Sequence, residues 1–471
     1  ARRALGRTEK TVGGDQRGGP ATAMRQATLF ASAAPMELGS PLTTTAAPAS
    51  TLAIAHDYLT QRGGAERVVL AMARAFPGAP VLTSLYDATG TYPDFADLPI
   101  VSTPIDRYDL LRRNHRVALP LLARTFSSLA APADVVLCSS SGWAHGVRTQ
   151  GRKIVYCHNP ARWLYQREQY GPAGNPIARL GVGVLNRRLR SWDARAARSA
   201  HRYLVNSRVV QERVAATYGI EAELLHPPVT LDTAAAQEPM PFDAGFVLCV
   251  ARLMSYKHVG VVVDAMRSLP QHRLVVVGEG PDEEALRAAA GSNVAFVGRT
   301  SDAELRWLYA NAAALVSASY EDFGLTPIEA AAFGTPAALL RWGGFLDSLD
   351  EGVSGEFFDE PTPTSVAATL RSVLDRSWDG DAIRQHAEQV SEARFSGRLQ
   401  EIVAEEAARL EPAAARVPAS PEEASGESAA PTLVPLPWAA HRPAPAVANL
   451  RGMRAKAAVA AVDAVAVVAG L

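Results

Sequence analysis

The chain has 471 residues, 48% hydrophobic and 20% charged, with 35 Gly, 32 Pro and 3 Cys. That length holds two ordinary domains plus tails, and the apolar fraction excludes wholesale disorder or a collagen-like repeat. A net charge of −1 argues against a nucleic-acid binder, and three widely spaced cysteines (Cys138, Cys157, Cys249) exclude a disulfide framework or a CxxC metal pair. Each cysteine follows an apolar run, which predicts buried strand-end thiols in a reducing compartment.

Residues 1–51 are rich in Ala, Thr, Gly, Pro and Arg without periodicity and are expected to be a disordered leader. They show no clean signal-peptide pattern, and the true N-terminus stays open. From 52 to 228, apolar runs alternate with helical patterns. The runs are Leu52–His56, Val135–Cys138, Ile154–Cys157 and Tyr203–Val205; a Gly63-Gly64 turn precedes a helix expected over Ala65–Phe76. A Pro-rich stretch, 228–245, reads as a hinge. The second series is Phe246–Val250, Leu274–Val277, Val294–Val297, Ala313–Val316 and Ala337–Leu340. Continuous apolar strands alternating with helices predict an α/β architecture of two doubly wound parallel sheets, over 52–228 and 229–411. Residues 412–443 are an Ala/Pro/Ser/Glu linker. The run Ala457–Leu471 is too short to span a bilayer unless the native sequence continues past Leu471. The first half carries a net +9 and the second −14, which predicts different partners for the two domains.

The strongest local signal is Glu321-Asp322-Phe323-Gly324-Leu325-Thr326-Pro327-Ile328-Glu329, after the run Ala313–Val316. Pro327 suits the first position of a helix running to Phe333, and Gly324 suits a tight approach loop. A helix N-terminus offers free N–H groups to an anion, while glutamates suit sugar or ribose hydroxyls. A plainer alternative is a capping box, Thr326-x-x-Glu329. Next come Arg252 and Lys257, past the strand Phe246–Val250, where two cations can neutralise a departing diphosphate without a metal. Solvated surface charges are the alternative there. Gly278-x-Gly280 lacks the third glycine of a dinucleotide fingerprint and reads as a turn, with Pro281 opening a helix; a nicotinamide oxidoreductase is disfavoured. Asp379-Gly380-Asp381 lies in a polar loop far from the other motifs. His158 could simply end a buried strand.

Together these motifs resemble the family 4 retaining glycosyltransferases. The C-terminal half supplies Ala251-Arg252-Leu253 with Lys257, Gly278-Glu279-Gly280-Pro281 and Glu321-x7-Glu329. The N-terminal half supplies His56-Asp57-Tyr58-Leu59, Gly63-Gly64-Ala65-Glu66, Tyr156-Cys157-His158-Asn159-Pro160 and Val205-Asn206-Ser207. The similarity spans about residues 52–405, and within the family it is most like bacterial mannosyltransferases of O-antigen and exopolysaccharide assembly. The resemblance implies a GT-B fold and metal-independent, retaining transfer of a hexose, mannose from GDP-mannose in the first instance. Arg252 and Lys257 would hold the diphosphate, Glu329 the ribose, and Glu321 the donor sugar. Backbone around Phe323, Gly324, Leu325 and Thr326 would meet the sugar and distal phosphate, as would Gly63 and Gly64. His158 would sit beside the transferred sugar, and Asp57, Trp163 and Tyr165 on the acceptor side. No cofactor beyond the donor is implied.

The acceptor would be a polyprenyl-diphosphate-linked glycan, at the cytoplasmic face of the membrane. Two basic clusters, Arg179–Arg202 and Arg107, Arg112, Arg113 and Arg116, suggest contact with an anionic membrane; solvated helix faces are the alternative. Rival functions are a UDP-sugar-dependent transferase of the same family, a UDP-sugar epimerase and a non-catalytic nucleotide-sugar-binding scaffold.

Overall fold

The computed structural model describes residues 51–165 and 176–410, without the side chains of 116, 117, 120, 163 and 176–185. The expected leader up to residue 50 and the linker and tail from 412 lie outside the described residues.

Two all-parallel sheets organise the chain. The first contains β1 (Leu52–His56), β2 (Val81–Thr83), β3 (Ile100–Ser102), β4 (Val135–Ser140), β5 (Arg152–Cys157), β6 (Arg202–Val205) and β7 (Glu223–Leu224), in the order β3-β2-β1-β4-β5-β6-β7. The second contains β8 (Phe246–Val250), β9 (Leu274–Val277), β10 (Val294–Gly298), β11 (Ala312–Ser317), β12 (Ala337–Leu340) and β13 (Gly355–Phe358), in the order β10-β9-β8-β11-β12-β13. The central strands are buried on both faces, as continuous apolar runs require: Ile54, Leu137, Val155, Leu248, Val275 and Leu315 are fully buried. The three cysteines are free and buried, and burial pushes the thiols of Cys138 and Cys249 up to about 12.

Strand order reverses between β1 and β4 in one sheet and between β8 and β11 in the other. In open α/β sheets, ligands bind at such switch points, beyond the carboxyl ends of the strands. The loops after β1, β4, β8 and β11 carry Gly63-Gly64, Ser141, Arg252 with Lys257, and Glu321–Gly324.

The last helix, Glu392–Ala408, returns to the first sheet. Its Phe395, Leu399 and Ile402 join Val68, Leu137 and Ile154 in one core, and buried Glu406 pairs with Arg152 of β5. Sequence order had placed this helix with the second domain. Apolar contact, rather than chain position, assigns it to the first.

Candidate active site

The motif after β11 starts a helix earlier than Pro327 suggested. The helix is Leu325–Ala332, with Gly324 as its N-cap, so Pro327 is its third residue. Proline is tolerated there because the first turn's N–H groups have no intrahelical partner. Gly324 has φ +87°, and an added Cβ would lie 2.5 Å from Cε1 of Phe345, so only glycine fits this turn. Thr326 does not cap the helix, and the capping-box alternative fails. Glu329 is instead buried, and Tyr309 donates its hydroxyl to Glu329 Oε2 at 2.8 Å.

Lys257 forms an ion pair with Glu321. The Ser319 hydroxyl donates to the Lys257 carbonyl at 3.1 Å, tying the loop after β8 to the loop after β11. Arg252 is exposed and donates from Nη2 to the Tyr256 hydroxyl at 2.8 Å, while Lys257 Nζ stands 5.0 Å from the Tyr256 ring centroid. Tyr256 thus sits between the two cations. Gly278 and Gly280 explain themselves here. A Cβ on Gly278 would be 2.0 Å from the Ala251 carbonyl oxygen, and one on Gly280 2.2 Å from that of Leu253. The glycine pair lets the loop after β9 lie flat on the Arg252 loop, where Leu253 N–H donates to Glu279 O at 2.9 Å. Pro281 precedes the N-cap of helix Glu283–Ala289 instead of opening it.

The first domain reaches the same place. A Cβ on Gly64 would be 3.1 Å from Cδ1 of Leu325, so the start of helix Gly64–Ala75 faces the start of helix Leu325–Ala332. Phe323 stacks on His226, with ring centroids 5.3 Å apart. Asp322 pairs with both Arg162 and Arg213 of the first domain, and Arg67 donates to Asp302 at 2.8 Å. Burial opposes the charge on Arg67, but Glu329, with Tyr92 and Asp302, more than offsets this and raises its pKa.

Behind the Gly63-Gly64 loop lies a buried chain of polar groups. His56 Nε2 stands 3.9 Å from Glu66 Oε1, and Gln61 donates to the same oxygen at 3.1 Å. His56 Nδ1 is 3.1 Å from Ser139 Oγ, which is 2.8 Å from His158 Nε2. Burial acts to lower the His56 pKa, but Glu66 overcomes it and the value ends raised; burial acts to raise Glu66, but His56 overcomes it and the value ends lowered. Burial, with His56 close by, pushes His158 down to about 3. The consistent proton order is His56 Nδ1–H to Ser139 Oγ, then Ser139 O–H to His158 Nε2. His158 is neutral and keeps its proton on Nδ1.

The acceptor-side expectations fare differently. Asp57 is turned inward: its carboxylate accepts from the N–H groups of Ser141 at 2.7 Å, Trp143 at 3.2 Å and Ala144 at 2.6 Å. Tyr165 donates to buried Asp193 at 2.8 Å and packs edge-on to Tyr218. Both are engaged by the fold, while the Trp163 side chain lies outside the described residues. Asp379 caps helix Gly380–Glu388 by accepting from Asp381 and Ala382 N–H. Sequence reasoning gave no role to Glu66, Ser139, Arg67, Tyr256, Tyr309 or Asp322. Glu66 and Asp322 lay inside recognised motifs; the others gave no local signal.

Two facing Rossmann-like sheets, with loops from both switch points converging, define the GT-B class. Two family models match: "Glycosyltransferase Family 4" over residues 62–233 and "Glycosyl transferases group 1" over 232–393. The chain belongs to this family of glycosyltransferases. A relative is the D-inositol 3-phosphate glycosyltransferase of Mycolicibacterium smegmatis, 28% identical over 200 residues, covering 38% of this chain and 46% of the relative. The chain thus spans about half the length of the curated relatives it matches. Among solved structures, Anabaena HepE in complex with UDP aligns with a TM-score of 0.57 at 15% identity, covering 75% of this chain and 100% of HepE. Sucrose-phosphate synthase from Thermosynechococcus elongatus aligns with a TM-score of 0.57 at 18% identity, covering 75% of this chain and 98% of the synthase. These likenesses show the fold.

Proposed function

We propose that the protein is a retaining glycosyltransferase that moves a hexose from a nucleoside-diphosphate sugar to a lipid-linked or polysaccharide acceptor. The observation that carries this is the Lys257–Glu321 pair beside the amide-rich start of helix Leu325–Ala332, itself facing Gly64. A diphosphate arriving here draws Lys257 away from Glu321. The freed carboxylate then accepts hydrogen bonds from sugar hydroxyls, and the helix start and Arg252 share the phosphate charge. Glu329, with one oxygen held by Tyr309, offers the other to the ribose. Neutral His158, oriented through Ser139, stands as a hydrogen-bond partner for the transferred sugar. Closure of the two domains, through Asp322 and Arg67, assembles both halves and excludes water.

The proposed donor is GDP-mannose, as the resemblance to bacterial mannosyltransferases suggests. A UDP-sugar is the second reading, UDP being the nucleotide bound in the Anabaena structure. Thermal-shift screening against GDP-, UDP- and ADP-sugars tests both, followed by transfer assays with the stabilising donor. Lys257→Ala is expected to lose at least about 10²-fold in turnover with folding intact; near-normal transfer removes the diphosphate role.

We place the protein at the cytoplasmic face of an anionic membrane, near a polyprenyl-diphosphate-linked acceptor. Tyr108, Leu110 and Leu121 are exposed among exposed Arg107, Arg113 and Arg124, a combination suited to a lipid surface. The other basic cluster contributes less. Arg190 and Arg198 are bound to the carbonyls of Leu164 and Tyr218, and Arg202 is paired with Glu223 and Glu405. Among the described residues no helix is long and apolar enough to cross a membrane. Equal flotation with neutral and anionic liposomes refutes the placement.

A further inference from the structure

A pocket of about 400 Å³ opens at the amino ends of β5 and β6, away from the candidate active site. Lys153 is the second residue of β5, and His158 directly follows that strand. Five residues at about 3.3 Å each separate the two by roughly 16 Å. The pocket is lined by Arg148, Lys153, Arg195 and His201, with Trp192 and Ser199, and, among the described residues, by no acidic side chain.

Its chemistry is one-sided. Lys153 is only 6% exposed, yet its ammonium donates to two neutral acceptors, the His145 carbonyl at 3.0 Å and Ser199 Oγ at 2.8 Å. A third N–H remains. Among the described residues no carboxylate pairs with Lys153, Arg148 or Arg195. Burying a charge without a counter-ion is costly, and burial lowers the Lys153 pKa accordingly. His201 Nδ1 accepts the Lys153 backbone N–H at 2.9 Å, so the neutral ring carries its proton on Nε2 and is a donor. The apolar wall is fixed in place, because Trp192 Nε1 donates to Ser127 Oγ at 2.7 Å.

We propose that this pocket is a second binding site, for a phosphate-bearing ligand. The two guanidiniums, the ammonium and the imidazole N–H match the several oxygens and double charge of a phosphate group. The volume left over and the indole wall accommodate the organic group that carries it. The site is separate from the proposed transfer chemistry and does not depend on it.

The test is thermal unfolding of the full chain with about 10 mM inorganic phosphate against chloride of equal ionic strength, since a ligand that binds only the native state raises the melting temperature. Phosphate is expected to stabilise beyond chloride. That increment falls by at least half in the Arg148→Ala/Arg195→Ala double variant, whose side chains are exposed and leave the core intact, and persists in Lys257→Ala. Equal stabilisation by chloride, or an increment unchanged in the double variant, overturns the proposal. Flotation on phosphatidylglycerol vesicles separates the sources of the phosphate. Binding lost with the double substitution assigns the site to a lipid headgroup. A phosphate increment lost with the double substitution, beside unchanged flotation, assigns it to a free phosphate compound.

Discussion

Replacing Asp57 tests whether this residue serves the acceptor or the fold. Its carboxylate accepts three backbone N–H groups from the loop after β4. In Asp57→Ala the N–H groups of Trp143 and Ala144, both in buried residues, lose their acceptor out of reach of water; Ser141 is partly exposed and regains one. Two stranded donors cost about 1–3 kcal/mol each. Against this stands the cost of burying the carboxylate itself, which burial marks by raising the Asp57 pKa. The net loss is about 2–4 kcal/mol, or roughly 5–15 °C in melting temperature for a domain of this size. Asp57→Asn keeps one acceptor oxygen and should fall between wild type and Ala. Differential scanning calorimetry of the three proteins measures this directly. If Asp57→Ala melts within about 2 °C of wild type while losing transfer, the structural role is wrong and the acceptor role returns.

Three further outcomes are expected. The raised His56 contributes stability that is full below its ordinary 6.5 and drains as pH rises through its folded value, while the lowered Glu66 contributes stability that is full above its ordinary 4.5 and drains as pH falls. The stability gap between wild type and Glu66→Gln should therefore be widest between these values and narrow toward both acid and alkaline pH; urea midpoints whose gap between these values is no wider than at alkaline pH contradict the pairing. Gly324→Ala forces a positive φ on alanine and drives Cβ into Phe345, so it should lower the melting temperature by the equivalent of about 1–3 kcal/mol and weaken donor-induced stabilisation; a wild-type response to donor refutes the close-approach role. Asp322→Asn weakens both interdomain pairs with Arg162 and Arg213 and should raise KM for donor several-fold with a larger radius of gyration by solution scattering; unchanged values for both deny Asp322 a part in closure.

Most strands that the sequence announced are those buried on both faces; the half-buried edge strand β10 is the exception. Phe246–Val250, Leu274–Val277 and Ala337–Leu340 match their apolar runs to the residue, because a strand shielded on both sides carries its signal in its own composition. The short or peripheral strands β2, β3, β7 and β13 passed unnoticed. β2, β3 and β7 have only two or three residues, and β13 is an edge strand interrupted by Gly355 and Glu356, so none carries a continuous apolar run of four. The same division runs through the site. Gly324 could be read locally because its turn demands glycine, and Gly63-Gly64, Lys257, Glu321 and Glu329 were nominated by their place and spacing in local motifs. What Asp57 and Tyr165 do was decided by partners distant in sequence, as was the Glu66–His56–Ser139–His158 chain, which spans three strand ends. The sequence by itself determined two parallel α/β units and the local chemistry of their turns, since backbone sterics and apolar periodicity act over a few residues. Only the tertiary structure decided which half owns the last helix, which cations are neutralised and which, around Lys153, are left without a counter-charge among the described residues, because burial and long-range pairing exist only once the chain has folded.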